Sequence, residues 1–306
     1  MPLSIQVIIN AASGTSEKED ERRALADIFE SNGIDAHIQL AQSGAEIVEM
    51  AQEAGRSDYQ TIVAGGGDGT VSAVASELIG SEKTLGVLPF GTLNHFAKDL
   101  NIPLDLEAAA RVIIEGHSTQ VDVGEVNGRV FINNSSLGLY PDVVRRREQR
   151  QKLGYGKWNS LFRSAFKVLR RYPFLDIRVN ADGKEMVTRT PFIFIGNNAY
   201  EMESFNIGGR TCLDEGHLSL YMTPRVGRFG LLQLAVRALF GKLNQAKDFV
   251  SLCEDEIWIE TRRKQLRVAM DGEVLMLETP LHYRVLPGAL RVIVPAKTED
   301  ETNEKE

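Results

Sequence analysis

Residues 61–70 read Thr-Ile-Val-Ala-Gly-Gly-Gly-Asp-Gly-Thr, and no other stretch limits so strongly what the chain can become. Residues 61–64 are a short, β-branched run suited to a buried strand. Residues 71–79 place apolar side chains at three- and four-residue spacing, the pattern of a helix. A strand that turns into a helix this quickly needs backbone freedom, and Gly65, Gly66, Gly67 and Gly69 supply it. The first N–H groups of such a helix have no intrahelical acceptor, and the helix dipole adds positive potential there. The stretch is therefore a candidate anion site, with phosphate the obvious anion. Tight packing alone would explain the glycines but not Asp68. A carboxylate inside a phosphate cradle calls for a metal ion or a polar substrate group as well.

The surrounding pattern supplies the frame. Strands are expected at 5–10, 35–40, 61–64 and 85–88, alternating with helices that begin near residue 17, over 45–54 and over 71–79. Such alternation predicts an α/β nucleotide domain over 1–120, built on a doubly wound parallel sheet. In that architecture ligands bind beyond the carboxyl ends of the strands. The small-residue loops 10–14, 65–70 and 89–94 all fall at strand ends, so they converge on one place. From residue 121 the helices give way to short alternating strands at 121–126, 129–133, 176–180, 192–196 and 217–222. Asn127-Gly128 and Asp182-Gly183 are hairpin turn pairs between them. A second, antiparallel β domain, a sandwich or flattened barrel, is expected over 121–280. Residues 297–306 form an acidic, hydrophilic tail and are expected to be disordered.

Composition removes several classes of function. A length of 306 residues with 43% hydrophobic side chains suffices for two packed domains. No apolar run approaches the roughly 20 residues that cross a bilayer. The N-terminus has no basic leader and reads as a first strand. Cys212 and Cys253 are the only cysteines, so a disulfide framework is excluded and a reducing cytoplasm is the expected setting. A net charge of −7 argues against nucleic acid as a partner.

Two motifs together point to a family. Gly-Gly-Gly-Asp-Gly-Thr at 65–70, followed by Pro-Phe-Gly-Thr-Leu-Asn at 89–94, resembles the catalytic domain of diacylglycerol kinases and their bacterial lipid-kinase relatives. Sphingosine, ceramide and NAD kinases share the superfamily. The resemblance implies ATP and Mg2+ as cofactors, a β-sandwich substrate domain, an active cleft between the domains, and a return of the last strands, about 281–296, to the first domain. It implies nucleotide contacts from Asn10, Ser13 and Gly14 in the first loop, from Gly65, Gly66, Gly67, Asp68, Gly69 and Thr70 in the second, and from Gly91, Thr92 and Asn94 in the third. Thr92 also suits the cap of a helix beginning at Asn94. The chain departs from the family pattern in having Ala11 in place of proline, Ser72-Ala73 in place of Asn-Glu, and His95 in place of aspartate.

The same resemblance assigns catalysis to Asp271 and Glu273 of Met-Asp-Gly-Glu-Val at 270–274. A kinase needs a carboxylate to accept the alcohol proton during in-line attack on the γ-phosphate. In an extended segment both side chains lie on one side. Asp-Gly is equally a favoured hairpin pair, so a plain turn is the other reading of these residues. Cys-Leu-Asp-Glu-Gly-His at 212–217 resembles a structural magnesium loop, with Glu215 as carboxylate ligand and Cys212 and His217 contributing backbone carbonyls; Asp122 fits an aspartate joined to that ion through water, and equally a strand-end turn residue. Glutamate replaces the usual aspartate at 215.

A basic segment interrupts the second half: ten Lys or Arg and one acid lie between Arg145 and Arg171. Apolar residues, among them Trp158, Phe162 and Phe166, recur among them at helical spacing. A basic helical insertion at 145–172 suits peripheral contact with an anionic membrane, and equally a helix covering the sheet with a solvated face. The expected function is that of an ATP-dependent kinase acting on a hydroxyl of a lipid or lipid-like alcohol. An NAD kinase-like enzyme and a non-catalytic nucleotide-binding regulator are the alternatives.

Overall fold

The computed structural model describes residues 3–11, 15–138, 174–200, 202–203, 206–207, 210, 212–222 and 250–296. Ser13, Gly14, the basic segment 145–172, the apolar segment 229–243 and the tail 297–306 lie outside the described residues. The chain divides into two compact units, Met1–Val123 with Pro287–Glu306, and Gly124–Leu286.

In the first unit the elements run β1 (Leu3–Asn10), α1 (Thr15–Ser31), β2 (Ile34–Ala41), α2 (Gly44–Arg56), β3 (Thr61–Gly66), α3 (Asp68–Leu78), β4 (Thr84–Pro89), α4 (His95–Asp99), α5 (Leu106–Glu115) and β5 (Ser118–Val126). The sheet is parallel, in the order β2-β1-β3-β4. Every residue of β3 and all but the first of β4 are buried, as expected of strands covered on both faces. Local chemistry sets the helix ends: Ser43 Oγ accepts the Glu46 N–H ahead of α2, and Asp105 accepts the Ala108 N–H ahead of α5. Gly116 closes α5 at φ 71°, a left-handed conformation open to glycine. The amphipathic α5, which buries Ala109, Ala110, Val112 and Ile113, has no counterpart among the helices expected from sequence.

Chain order and spatial order differ at one place. β1 pairs with β2 on one side and β3 on the other, so the direction of winding reverses between β1 and β3. Ligand crevices of open α/β sheets lie at the carboxyl ends of strands at such a reversal. Here those ends are Asn10 and Gly66.

In the second unit β6 (Arg129–Phe131), β7 (Asn134–Gly138), β8 (Leu175–Ala181), β9 (Lys184–Thr190), β10 (Phe192–Asn197), β11 (Met202–Glu203), β12 (Asn206–Ile207), β13 (Leu218–Met222), β14 (Val250–Glu254), β15 (Glu256–Thr261), β16 (Gln265–Met270) and β17 (Glu273–Glu278) pair antiparallel. One sheet runs β14-β13-β10-β7-β16-β17. A second joins β9, β8, β15 and the first residues of β18 (Leu281–Ile293). Alternation along β8, buried at Leu175, Ile177, Val179 and Ala181, turns one face inward. These residues share a core with Ile193, Ile195, Leu218, Leu220 and Val268 of the other sheet, so the unit is a β-sandwich. In the first unit the far end of β18 pairs in parallel with β4, Arg291 beside Thr84 and Val292 beside Leu85. Among the described residues no helix is long and apolar enough to cross a membrane.

Candidate active site

In the first unit β3 ends at Gly66 and α3 begins at Asp68, so a single residue, Gly67, makes the junction. Thr70 and Val71 both donate their N–H groups to Gly67 O, at 2.9 and 3.1 Å. No side chain caps the helix at Gly67. Helix geometry therefore leaves the Asp68 and Gly69 N–H groups without acceptors inside the helix. A side chain added at Gly69 would meet nothing within 4 Å, so open space adjoins these donors.

The other glycines serve a different purpose. A Cβ at Gly66 would collide with the side chain of Thr70, which folds back over the loop. Thr70 Oγ1 in turn accepts a hydrogen bond of 3.1 Å from Asn10 Nδ2, tying the end of β1 to the first turn of α3. A Cβ at Gly91 would fall on the Gly67 Cα and 2.6 Å from Asn94 Oδ1. The second and third loops thus touch backbone to backbone. Phe90 donates its N–H to Gly66 O at 3.0 Å, and Asp68 Oδ1 accepts the Phe96 N–H at 3.2 Å. Asp68 therefore binds one loop to the next, whatever else it meets.

The third loop is shaped by Asn94. It adopts φ 50° and is 6% exposed, and its Nδ2 donates to Pro89 O at 3.1 Å and Gly91 O at 2.8 Å. Asn94 also holds the cap position of α4, so the cap expected of Thr92 is corrected: Thr92 is exposed, two residues ahead of it. His95 is exposed too. Asp122 is 2% exposed on β5 and accepts the Gly288 N–H at 2.9 Å, which secures the left-handed turn of Gly288 at φ 58°.

In the second unit the Asp-Gly-Glu segment is not the extended run expected from sequence. Asp271 at φ 45° and Gly272 at φ 91° form a two-residue turn joining β16 to β17, with Met270 opposite Glu273. Paired positive φ angles match the twist of antiparallel strands, which is why Asp-Gly closes such hairpins. The turn separates the two carboxylates. Asp271 Oδ2 accepts the Ile132 N–H at 2.8 Å, and its Oδ1 accepts those of Asn133 and Asn134 at 2.9 and 3.0 Å. Glu273 is exposed. Asp271 is thus engaged by backbone donors, whereas Glu273 faces solvent.

In the 212–217 loop both Glu215 and the His217 carbonyl have neighbours within the protein. Glu215 Oε2 lies 3.3 Å from His217 Nε2, and the His217 carbonyl already accepts the Asn198 N–H at 3.0 Å. Cys212 is half-buried. Among the described residues no group of three or more His, Cys, Asp or Glu is placed to hold a metal ion.

Sequence reasoning missed what seats the hairpin: the bend at 132–134 and the buried residues Asn197, Tyr200 and Arg210 packed on it. An arginine directly after Ile-Gly-Gly at 207–209 was the one available hint, and it is a weak one.

Comparison with known proteins accounts for both units. Residues 4–126 match the diacylglycerol kinase catalytic domain, and residues 142–294 match the YegS C-terminal NAD kinase beta sandwich-like domain. A diacylglycerol kinase of Staphylococcus aureus (strain bovine RF122 / ET3-1) is 31% identical over 229 residues, covering 72% of this chain and 70% of its own. A Klebsiella pneumoniae (strain 342) protein named "Probable lipid kinase YegS-like" is 26% identical over 290 residues, 92% of this chain and 94% of its own. The crystal structure of a diacylglycerol kinase from Bacillus anthracis str. Sterne superimposes with a TM-score of 0.71 at 21% identity, covering 96% of this chain and 97% of that one, and shows the shared fold.

Proposed function

Because the chain belongs to the diacylglycerol kinase catalytic-domain family, we infer that it transfers the γ-phosphate of ATP to a hydroxyl group of a lipid or lipid-like alcohol. The observation that carries this reading is the uncapped start of α3 at the β1/β3 reversal, where free N–H groups adjoin open space. Backbone donors at a helix N-terminus favour a polyphosphate. Asn10, Thr70, Gly91 and Asn94 hold the loops in register, and Gly69 leaves room for the phosphates to approach. Magnesium bound with the ATP would offset phosphate charge there.

Glu273 is the residue proposed to accept the alcohol proton. Its carboxylate is exposed and, unlike that of Asp271, is not engaged by the bend at 132–134. A base must be free to meet the hydroxyl it deprotonates. Asp271 acts by holding the hairpin that presents Glu273. The proposed setting is the cytoplasmic face of a membrane, where such an alcohol would be met.

The test is transfer of radiolabelled γ-phosphate from ATP with magnesium into a total lipid extract, comparing the native chain with Glu273→Gln. A labelled lipid that disappears with Glu273→Gln supports the reading, and its mass identifies the acceptor. Transfer unaffected by Glu273→Gln refutes the assignment of the base. The NAD kinase-like second domain favours one alternative acceptor, and NAD added to the same assay decides it: labelled NADP in place of labelled lipid overturns the lipid reading.

A further inference from the structure

The bend at 132–134 between β6 and β7 is gripped from two sides. Its three N–H groups converge on the Asp271 carboxylate, and Asp271 returns its own N–H to Asn134 O at 3.0 Å. Its carbonyls are met by donors from elsewhere in the same unit. Arg210 Nη1 donates to Ile132 O at 2.7 Å and to Asn197 O at 3.1 Å, while Nη2 donates to Asn133 Oδ1 at 2.9 Å. Asn197 Nδ2 adds a second bond to Ile132 O at 3.1 Å, and the Tyr200 hydroxyl donates to Asn133 O at 3.0 Å. The guanidinium lies 5.4 Å from the centre of the Tyr200 ring, and Arg210 is only 4% exposed.

Burying a guanidinium is costly, and apolar packing would hold a three-residue bend more cheaply. What the two charges add is direction. The cation meets the Ile132 carbonyl and the anion meets the Asn133 N–H at the other end of the same peptide, so rotation of that peptide breaks charge-assisted bonds on both sides. The structure this arrangement immobilises is the hairpin tip that carries Glu273.

We propose that Arg210 is a positioning residue for phosphoryl transfer. Through the Ile132 carbonyl and the Asn133 side chain it fixes the peptides that seat Asp271, and so sets where Glu273 stands. The proposal rests on the reading of Glu273 as proton acceptor. Arg210 itself need not touch nucleotide or alcohol.

The experiment uses the full chain with Arg210→Met, Arg210→Lys and Tyr200→Phe, each alone and each combined with Asp271→Asn. Phosphoryl transfer into a total lipid extract in detergent micelles gives kcat and the KM for ATP, and urea unfolding reports folding. A misplaced catalytic group costs up to about a hundredfold, so kcat should fall roughly 10- to 100-fold in Arg210→Met, with the KM for ATP within about twofold of the native value. Arg210→Lys, which keeps a cation without the fork, should fall in between, and Tyr200→Phe should lose the least. In the Asp271→Asn background these changes should add little, because the route through the bend is already cut. A folded Arg210→Met with native kcat overturns the proposal, and so does an undiminished loss in the Asp271→Asn background. If Arg210→Met does not fold, Arg210→Lys and Tyr200→Phe decide by the same criteria. Full activity in Glu273→Gln sinks the underlying reading instead, whatever the Arg210 variants do.

Discussion

Replacing Asp271 by asparagine exchanges one carboxylate oxygen for an N–H2 group. The remaining oxygen can keep the two bonds of Oδ1, to Asn133 and Asn134, but the amide nitrogen then faces the Ile132 N–H, donor against donor. One charge-assisted bond is lost and the other two become neutral, together about 2–4 kcal/mol. Backbone strain adds nothing, because asparagine tolerates the φ of 45° that Asp271 already adopts. Glu273→Gln is an exposed isosteric change and should stay within about 0.5 kcal/mol of the native stability. Urea unfolding followed by circular dichroism separates the two. With a slope of roughly 2 kcal/mol per molar urea, Asp271→Asn should lower the midpoint by 1–2 M while Glu273→Gln leaves it in place. Activity should sort the other way, with Asp271→Asn retaining part of it and Glu273→Gln losing it. Equal midpoints for the two variants would refute the assignment of Asp271 to the hairpin's architecture.

Three further outcomes are expected. Gly91→Ala drives a methyl onto Gly67 and Asn94 and should cost about 1–3 kcal/mol along with nucleotide affinity, whereas Gly69→Ala points into open space and should reduce affinity for an ATP analogue at native stability; equal stability losses would contradict this contrast. Burial pushes the Tyr283 phenol well above its ordinary value, despite its 3.0 Å hydrogen bond with Ser135. The native state therefore retains a proton that the unfolded chain releases, so this group's contribution to stability should be constant below pH about 10 and decline above it, a decline that Tyr283→Phe should blunt in unfolding experiments across that range. If the 212–217 loop holds magnesium through Glu215, as the sequence pattern implies, a chelator should lower the thermal midpoint and added magnesium should restore it; an unchanged midpoint would show that the loop holds no ion.

Much of this molecule could be read from one dimension because its signals are local. A β-branched run, a glycine turn and a periodic helix specify β3, Gly67 and α3 within some twenty consecutive residues. Asn127-Gly128, Asp182-Gly183 and Asp271-Gly272 all adopt the paired positive φ that such dipeptides favour, since the preference lies in the residues themselves. The two-domain α/β and β-sandwich class, and the family, follow from motifs of the same local kind. For polar groups far apart in sequence, tertiary structure alone decided which partner each found. Asp271 is 137 to 139 residues from the N–H groups it accepts, and Arg210 is 77 or 78 from its partners in the bend. Nothing in the letters separates a carboxylate held by a backbone from one left in solvent, so Asp271 and Glu273 looked interchangeable. Glycines 66, 69 and 91 looked equivalent too, yet two are required by neighbouring atoms and one opens onto free space. Such differences come from contacts across the fold, which exist only once the chain has closed on itself.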